Sequence, residues 1–164
     1  MSGLSDLDPA LCNYTGLRKA SRRVSLVYDR ALAPSGLTTA QFGILVEIAQ
    51  TPSAPGVTLT GLADRLVMDR AALTQSLKPL LASGLVSVGP DPADGRTRRV
   101  LLTQIGGDRL ALAHSHWAQA QAAFGDALGE DEAIALRALL RLVLARVKPP
   151  IPGEPIPEDS SSAR

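Results

Sequence analysis

The strongest constraint in the chain lies at residues 59–103. Two helical patterns, GLADRLV and RAALTQSLKPLLAS, are separated only by Met68 and Asp69. A link that short is what a helix-turn-helix requires. Two β-like runs follow, LVSV (85–88) and RRVLLT (98–103), with DPADGRT among the residues between them. That Pro-, Asp- and Gly-rich spacer reads as a hairpin turn.

Helix, tight turn, helix and hairpin together predict a winged helix-turn-helix: a mainly α fold with a small β-hairpin wing. Long helices flank it. Apolar residues from Leu11 to Leu32, at three- and four-residue spacing, predict a first helix over about 10–33, stopped by Pro34-Ser35-Gly36. Thr39 is placed as the cap of TAQFGILVEIAQ, Thr60 as the cap of GLADRLV and Asp69 as the cap of the fourth helix, which Gly84 closes. Leu110, Ala113, Trp117, Ala120, Phe124 and Leu128 stripe a helix over 104–128. Glu130, Asp131 and Glu132 open a last one with the sign the helix dipole favours, and its stripe is Leu136, Leu139, Leu140, Val143 and Val147. The expected organisation is a dimerisation helix (10–35), a DNA-binding winged helix (36–103), two more dimerisation helices (104–148) and a disordered tail (149–164). The tail holds five of the twelve prolines and the run SSS.

Composition narrows the function. A chain of 164 residues, 45% of them hydrophobic, has material for one real core. It contains no run of 18 apolar residues and no basic start followed by an apolar block, so no membrane span or signal peptide is expected and the cytoplasm is the default. One cysteine rules out an internal disulfide framework. The net charge is only +1, but 14 of the 17 basic residues are arginine, grouped at 18–30, 65–70, 96–99 and 137–146. Arginine is the side chain best shaped for phosphate and base edges. The same grouping would also arise from solvated helix faces.

The fourth helix is the most informative. Leu73, Leu77, Leu80 and Leu81 are expected to bury. Opposite them stand Ala71, Ala72, Gln75, Lys78, Pro79 and Ala82, with Thr74 and Ser76 on the flanks. Small residues let a backbone approach bases, glutamine pairs bidentately with adenine, and Lys78 reaches phosphate or guanine. Arg70 adds charge where the helix dipole already attracts anions. Pro79 is awkward, because a mid-helix proline costs roughly 3 kcal/mol if uncompensated. At the hairpin tip, Arg96, Arg98 and Arg99 are placed to enter a minor groove or clamp its phosphates. Asp94 is expected to hold the Arg96 guanidinium.

These segments resemble the MarR family of transcriptional regulators. The resemblance is carried by LTGLADRLVMDRAALTQSLKPLLASGLVSVGPDPADGRTRRVLLTQIG, by RKASRRVSLVYDRALAPSGLTTAQF and by HWAQAQAAF, and spans about 10–147. It implies an obligate homodimer built by the terminal helices, binding a pseudo-palindromic operator on double-stranded DNA and blocking transcription until a small molecule releases it. By position, the DNA contacts implied are Arg70, Thr74, Gln75, Ser76 and Lys78 on the helix and Arg96 on the wing. Asp94 supports the wing, and Arg98 is a further candidate. Two-fold symmetry spaces the half-sites roughly 34–36 Å apart. No cofactor and no catalysis are expected.

Sensor residues are less determined. Tyr14, Tyr28 and Trp117 are candidate lining for an effector pocket, with Arg18 or Arg22 pairing a carboxylate on an aromatic or acidic ligand. Trp117 has a plainer reading as dimer core. Some relatives sense peroxide through a first-helix cysteine, which aligns here with Tyr14. Cys12 lies two residues away, a rotation of about 200°, and no basic residue is near it in sequence. A redox role or thiol-peroxidase activity at Cys12, and a winged helix that binds protein and not DNA, are the alternatives. His114 and His116, two apart on a helix, are poorly spaced for one metal ion.

Overall fold

The helix starts and turns follow from a few side-chain-to-backbone hydrogen bonds. The computed structural model describes residues 12–51 and 56–148. The tail, most of the 51–56 loop and the first residues expected in the first helix lie outside those ranges. Helix α1 (Asn13–Leu32) buries only Tyr28 and Leu32. It passes into one 3-10 turn, Ala33–Ser35, ended by Gly36 at φ 72°.

Helix α2 (Thr39–Ala49) is capped by Thr38, one residue before the expected Thr39. The Thr38 hydroxyl accepts from the Gln41 amide at 3.2 Å, and the Gln41 side chain accepts from the Thr38 amide at 3.0 Å. Such a box needs Glu or Gln three residues after the cap, and Gln41 stands at that distance from Thr38. Thr39 becomes the first helical residue. Its amide donates to Asp29 Oδ1 at 2.6 Å, and its hydroxyl is buried with no partner.

Strand β1 (Val57–Thr58) was not anticipated, since two residues carry no periodicity. Its last residue, Thr58, caps helix α3 (Leu59–Leu66) by accepting from the Gly61 amide at 3.0 Å, and Thr60 does not. The turn after α3 is left-handed at Val67, φ 52° and ψ 46°. There the Met68 amide reaches back to the Ala63 carbonyl at 2.9 Å and closes α3. Asp69 caps helix α4 (Arg70–Ala82) as expected, accepting from the Ala72 amide at 2.7 Å.

Strands β2 (Val86–Pro90) and β3 (Arg98–Leu102) form the wing, from Val86 opposite Leu102 to Pro90 opposite Arg98. β1 pairs antiparallel with the other edge of β3, giving the order β1-β3-β2. The core beneath joins Leu32, Leu45, Leu62, Leu73, Leu77, Leu80 and Val100, all essentially closed to solvent. This is a winged helix.

Helix α5 (Gln104–Leu128) starts where the sheet ends. The Thr103 hydroxyl donates to the Gly84 carbonyl at 2.6 Å and accepts from the Gly106 amide at 3.0 Å. At Gly106 a Cβ would stand 2.0 Å from the Leu85 carbonyl oxygen, so only glycine lets the helix start this close to the strand. The described chain divides into two compact units between Gln121 and Ala122. The second contains helix α6 (Glu130–Arg146), with Glu130, Asp131 and Glu132 in its first turn. Leu139, Leu140, Val143 and Val147, which the sequence placed on an apolar stripe, are all exposed. Among the described residues no helix is long and apolar enough to cross a membrane.

Two stability predictions follow from backbone geometry. A left-handed non-glycine residue costs about 1–2 kcal/mol, and Val67 is 67% exposed, so it has little burial to lose. Glycine there gives back about 0.5–1 kcal/mol of that gain in unfolded-state entropy. Val67→Gly should therefore raise the unfolding free energy from denaturant titration by a net ~0.5–1 kcal/mol, and a decrease would show that the turn is unstrained. Gly106→Ala must move backbone, and should lower stability by about 1–3 kcal/mol in thermal unfolding.

Candidate nucleic-acid interface and adjacent cavity

Three leucines orient α4. Leu73, Leu77 and Leu80 are 2% exposed or less and lie along one stripe. Leu81 was expected with them but is 40% exposed. It sits 100° round the helix from Leu80, which already occupies the position facing the core. The opposite arc carries the expected site residues. Arg70, Thr74, Gln75 and Lys78 are exposed, and Ser76 is half-buried. The hydroxyls of Thr74 and Ser76 donate to the carbonyls of Arg70 and Ala72, at 2.7 and 3.0 Å. Their donors are thus used within the helix, and what they offer outward is acceptor lone pairs.

Pro79 lies inside α4, yet the helix runs on to Ala82. The sequence alone gave no account of this. A proline removes the amide that would pair with the carbonyl four residues earlier, here Gln75. Both residues are on the exposed side of the helix, away from the leucine core. After the proline, the helix end is held by the Ser83 hydroxyl, which donates to the Pro79 carbonyl at 2.8 Å.

At the wing tip the three arginines separate into two roles. The guanidinium of Arg99 forms a salt bridge with Asp91 and donates to the Gly56 carbonyl at 2.6 Å. It therefore ties the tip to the chain just before β1 and is not free to reach a ligand. Gly56 has φ +95°, and a Cβ there would meet the Val100 carbonyl at 2.4 Å, so the close approach depends on glycine. Arg96 and Arg98 are exposed. Asp94 does not hold the Arg96 guanidinium. Its carboxylate accepts from the Arg96 amide at 3.0 Å and from the Thr97 hydroxyl at 2.9 Å, because an Asp two residues before an amide closes a local turn more readily than it reaches out to a long side chain. Asp94 shapes the tip, and the Arg96 side chain projects from it.

Cys12 is exposed, just ahead of α1. Its thiol is held below the ordinary thiol range by the hydroxyl and amide of Thr15, a helix-start effect that needs no basic neighbour. Tyr14 and Arg18 engage each other on the exposed side of α1. Arg18 donates to the Tyr14 hydroxyl at 2.6 Å, with its guanidinium 5.5 Å from the ring centre.

Tyr28 and Trp117 are elsewhere. They line a cavity of about 490 Å³ together with Phe42, Thr39, Glu47 and His114. Phe42 stacks on Trp117 with ring centres 6.2 Å apart, and the His114 ring is tilted against Trp117 with centres 5.6 Å apart. The Tyr28 hydroxyl donates to Gln121. Neither Arg18 nor Arg22 lines the cavity, and among the described residues no other Lys or Arg does. The expected four-residue effector set is thus divided. Phe42, Thr39 and Glu47 were missed, because α2 reads in sequence as a wholly buried helix. Among the described residues no group of three His, Cys, Asp or Glu converges to hold a metal ion.

The wing latch is testable by acid. The Asp91 carboxyl is held below the ordinary aspartate range, first by the Ala93 amide and then by Arg99. A depressed carboxyl contributes stability that is present above its unfolded pKa, roughly 3.9, and is lost as pH falls through the folded value. Asp91→Asn should therefore lower the thermal midpoint at pH 7, and the gap to wild type should narrow steadily as pH falls below about 3.9. A gap that does not narrow on acidification would mean that the charge does not matter.

Comparison with known proteins places this geometry. Residues 35–97 match the model of the MarR family. A crystal structure of the M. tuberculosis transcriptional regulator MosR in complex with DNA is 35% identical, with 82% of this chain and 95% of that one covered at a TM-score of 0.71. A structure of Bordetella bronchiseptica BpsR, whose DNA binding is regulated by 6-hydroxynicotinic acid, is 25% identical, with 82% and 94% covered and a TM-score of 0.71. The transcriptional activatory protein BadR of Rhodopseudomonas palustris is 35% identical over 77 residues, 47% of this chain, and the match spans only 44% of BadR. With the family model matched through the helix-turn-helix as far as the wing tip, and a relative aligned over nearly its whole length, the chain belongs to the MarR family of transcriptional regulators and not to a class of enzymes.

Proposed function

We propose that two copies of this chain form a sequence-specific DNA-binding repressor, released from its operator by a small molecule held in the Phe42–Trp117 cavity. The observation that carries this reading is the arc of Arg70, Thr74, Gln75 and Lys78, exposed on a helix whose other side is anchored by three buried leucines. A rigid backing and a polar, small-residue front are what entry into a major groove demands. Gln75 reads a base edge, Lys78 and Arg70 meet phosphate or guanine, and Arg96 and Arg98 reach the flanking groove from the wing. The DNA complex of the 35%-identical MosR supports the same use of the fold here.

Dimerisation is supported by what the terminal helices leave uncovered. Leu26 and Val27 on α1, and Leu139, Leu144 and Val147 towards the C-terminus, are large apolar side chains open to water. Apolar surface in contiguous amounts marks an interaction face. Two-fold pairing places the two α4 helices about one DNA turn apart, roughly 34–36 Å. The cavity supports the effector half of the reading. Its walls combine α1, α2 and α5, so a ligand filling it bears on the helices next to the DNA-binding unit. The ligand-regulated BpsR is a precedent for such control within the fold. Whether a bound dimer represses or activates depends on where its operator lies, and we assign repression.

A gel-shift series on duplexes selected from random DNA tests the reading. Wild-type affinity should fall steeply between 50 and 200 mM salt, because phosphate contacts release counterions. Arg96→Ala should weaken all duplexes alike and reduce the salt slope by about 1. Gln75→Ala should relax preference at one position of each half-site, costing about 1–3 kcal/mol of discrimination. Binding without a salt slope, or an Arg96→Ala protein that behaves as wild type, would overturn the interface.

A further inference from the structure

The cavity has a charge character that its aromatic walls do not reveal. Three rings, Tyr28, Phe42 and Trp117, supply its apolar surface, and His114 stands beside Trp117. Against them is a single carboxylate, Glu47, on α2. Among the described residues no salt bridge reaches Glu47, and no Lys or Arg lines the space.

Each of these features favours positive charge. Ring faces are electron-rich and attract a cation within about 6 Å of their centres. A carboxylate in an apolar recess gains most from a charged donor. A carboxylate ligand would meet like charge at Glu47 with no Lys or Arg among the lining residues to offset it. At the effective dielectric of such sites, that repulsion weakens binding roughly ten- to hundred-fold. The volume, about 490 Å³, lies within the range of small-molecule sites, roughly 300–1,000 Å³.

We propose that the cavity takes a lipophilic amine, an organic cation whose apolar body lies against Phe42 and Trp117 and whose ammonium pairs with Glu47. This assignment rests on reading the cavity as the effector site. It replaces the acidic ligand expected from the arginines of α1, since those arginines do not line the space.

A matched pair of probes tests it on the full chain. Naphthylmethylamine and naphthoate share one ring system and differ in charge. Calorimetric titration gives their affinities, and Trp117, the chain's one tryptophan, reports occupancy by its fluorescence. The amine should saturate, quench Trp117 and bind at least ten-fold tighter than naphthoate. Glu47→Gln, an isosteric change at a half-buried position, should weaken the amine at least ten-fold and leave naphthoate unchanged or tighter. Naphthoate binding as tightly as the amine, or an amine affinity unaffected by Glu47→Gln, overturns the charge assignment and leaves the effector cavity standing. Failure of both probes to bind overturns the assignment outright. If the amine binds as expected but operator affinity does not change, the ligand class holds and the regulatory reading fails.

Discussion

The burial of Leu73, Leu77 and Leu80 governs this molecule. Fully removing a leucine side chain from water contributes about 1.5–3 kcal/mol, so the three together fix α4 by an amount comparable to the net stability of a small domain. They also fix its rotation. Turning the helix by one residue would expose Leu77 and bury Lys78 without a partner, at a cost no neighbouring contact repays. The polar arc faces outward because the leucines face inward, and everything assigned to that arc inherits its direction from them.

The wing is held by a different kind of force. Asp91, Arg99 and the Gly56 carbonyl form a small polar cluster that joins the hairpin tip to the segment entering β1. Thr103 joins the base of the hairpin to the first turn of α5. The hairpin is therefore fastened at both ends, and Arg96 and Arg98 extend from a braced frame. The division of labour among the three tip arginines follows from strand register. Arg99 faces Gly89 across the ladder and pairs with Thr58 on the other side, whereas Arg98 stands at the end of the ladder opposite Pro90.

What could be read in the sequence depended on whether the signal was local. Asp69 was recognisable as a cap because the turn before α4 has only one residue of the right chemistry. At α2 two threonines competed, and the decision lay with Gln41, three residues after Thr38. At α3 the cap is Thr58, and it was hidden because the same residue ends a strand too short to detect. The role of Arg99 needed Gly56, 43 positions away. The cavity was half legible. Tyr28 and Trp117 stood out as scarce aromatics, but Glu47 sits in the most apolar helix of the chain, where a lone charge reads as a solvated edge. Tyr14 and Arg18 looked like pocket residues by type and turned out to satisfy each other.

Pro79 leaves the main-chain oxygen of Gln75 without its usual helical donor, on the outward side of α4. Any surface that comes to cover that oxygen must bring a hydrogen-bond donor of its own or leave the oxygen unpaired, at a cost of about 1–3 kcal/mol. The requirement belongs to the backbone, and no side-chain replacement at Gln75 itself can remove it.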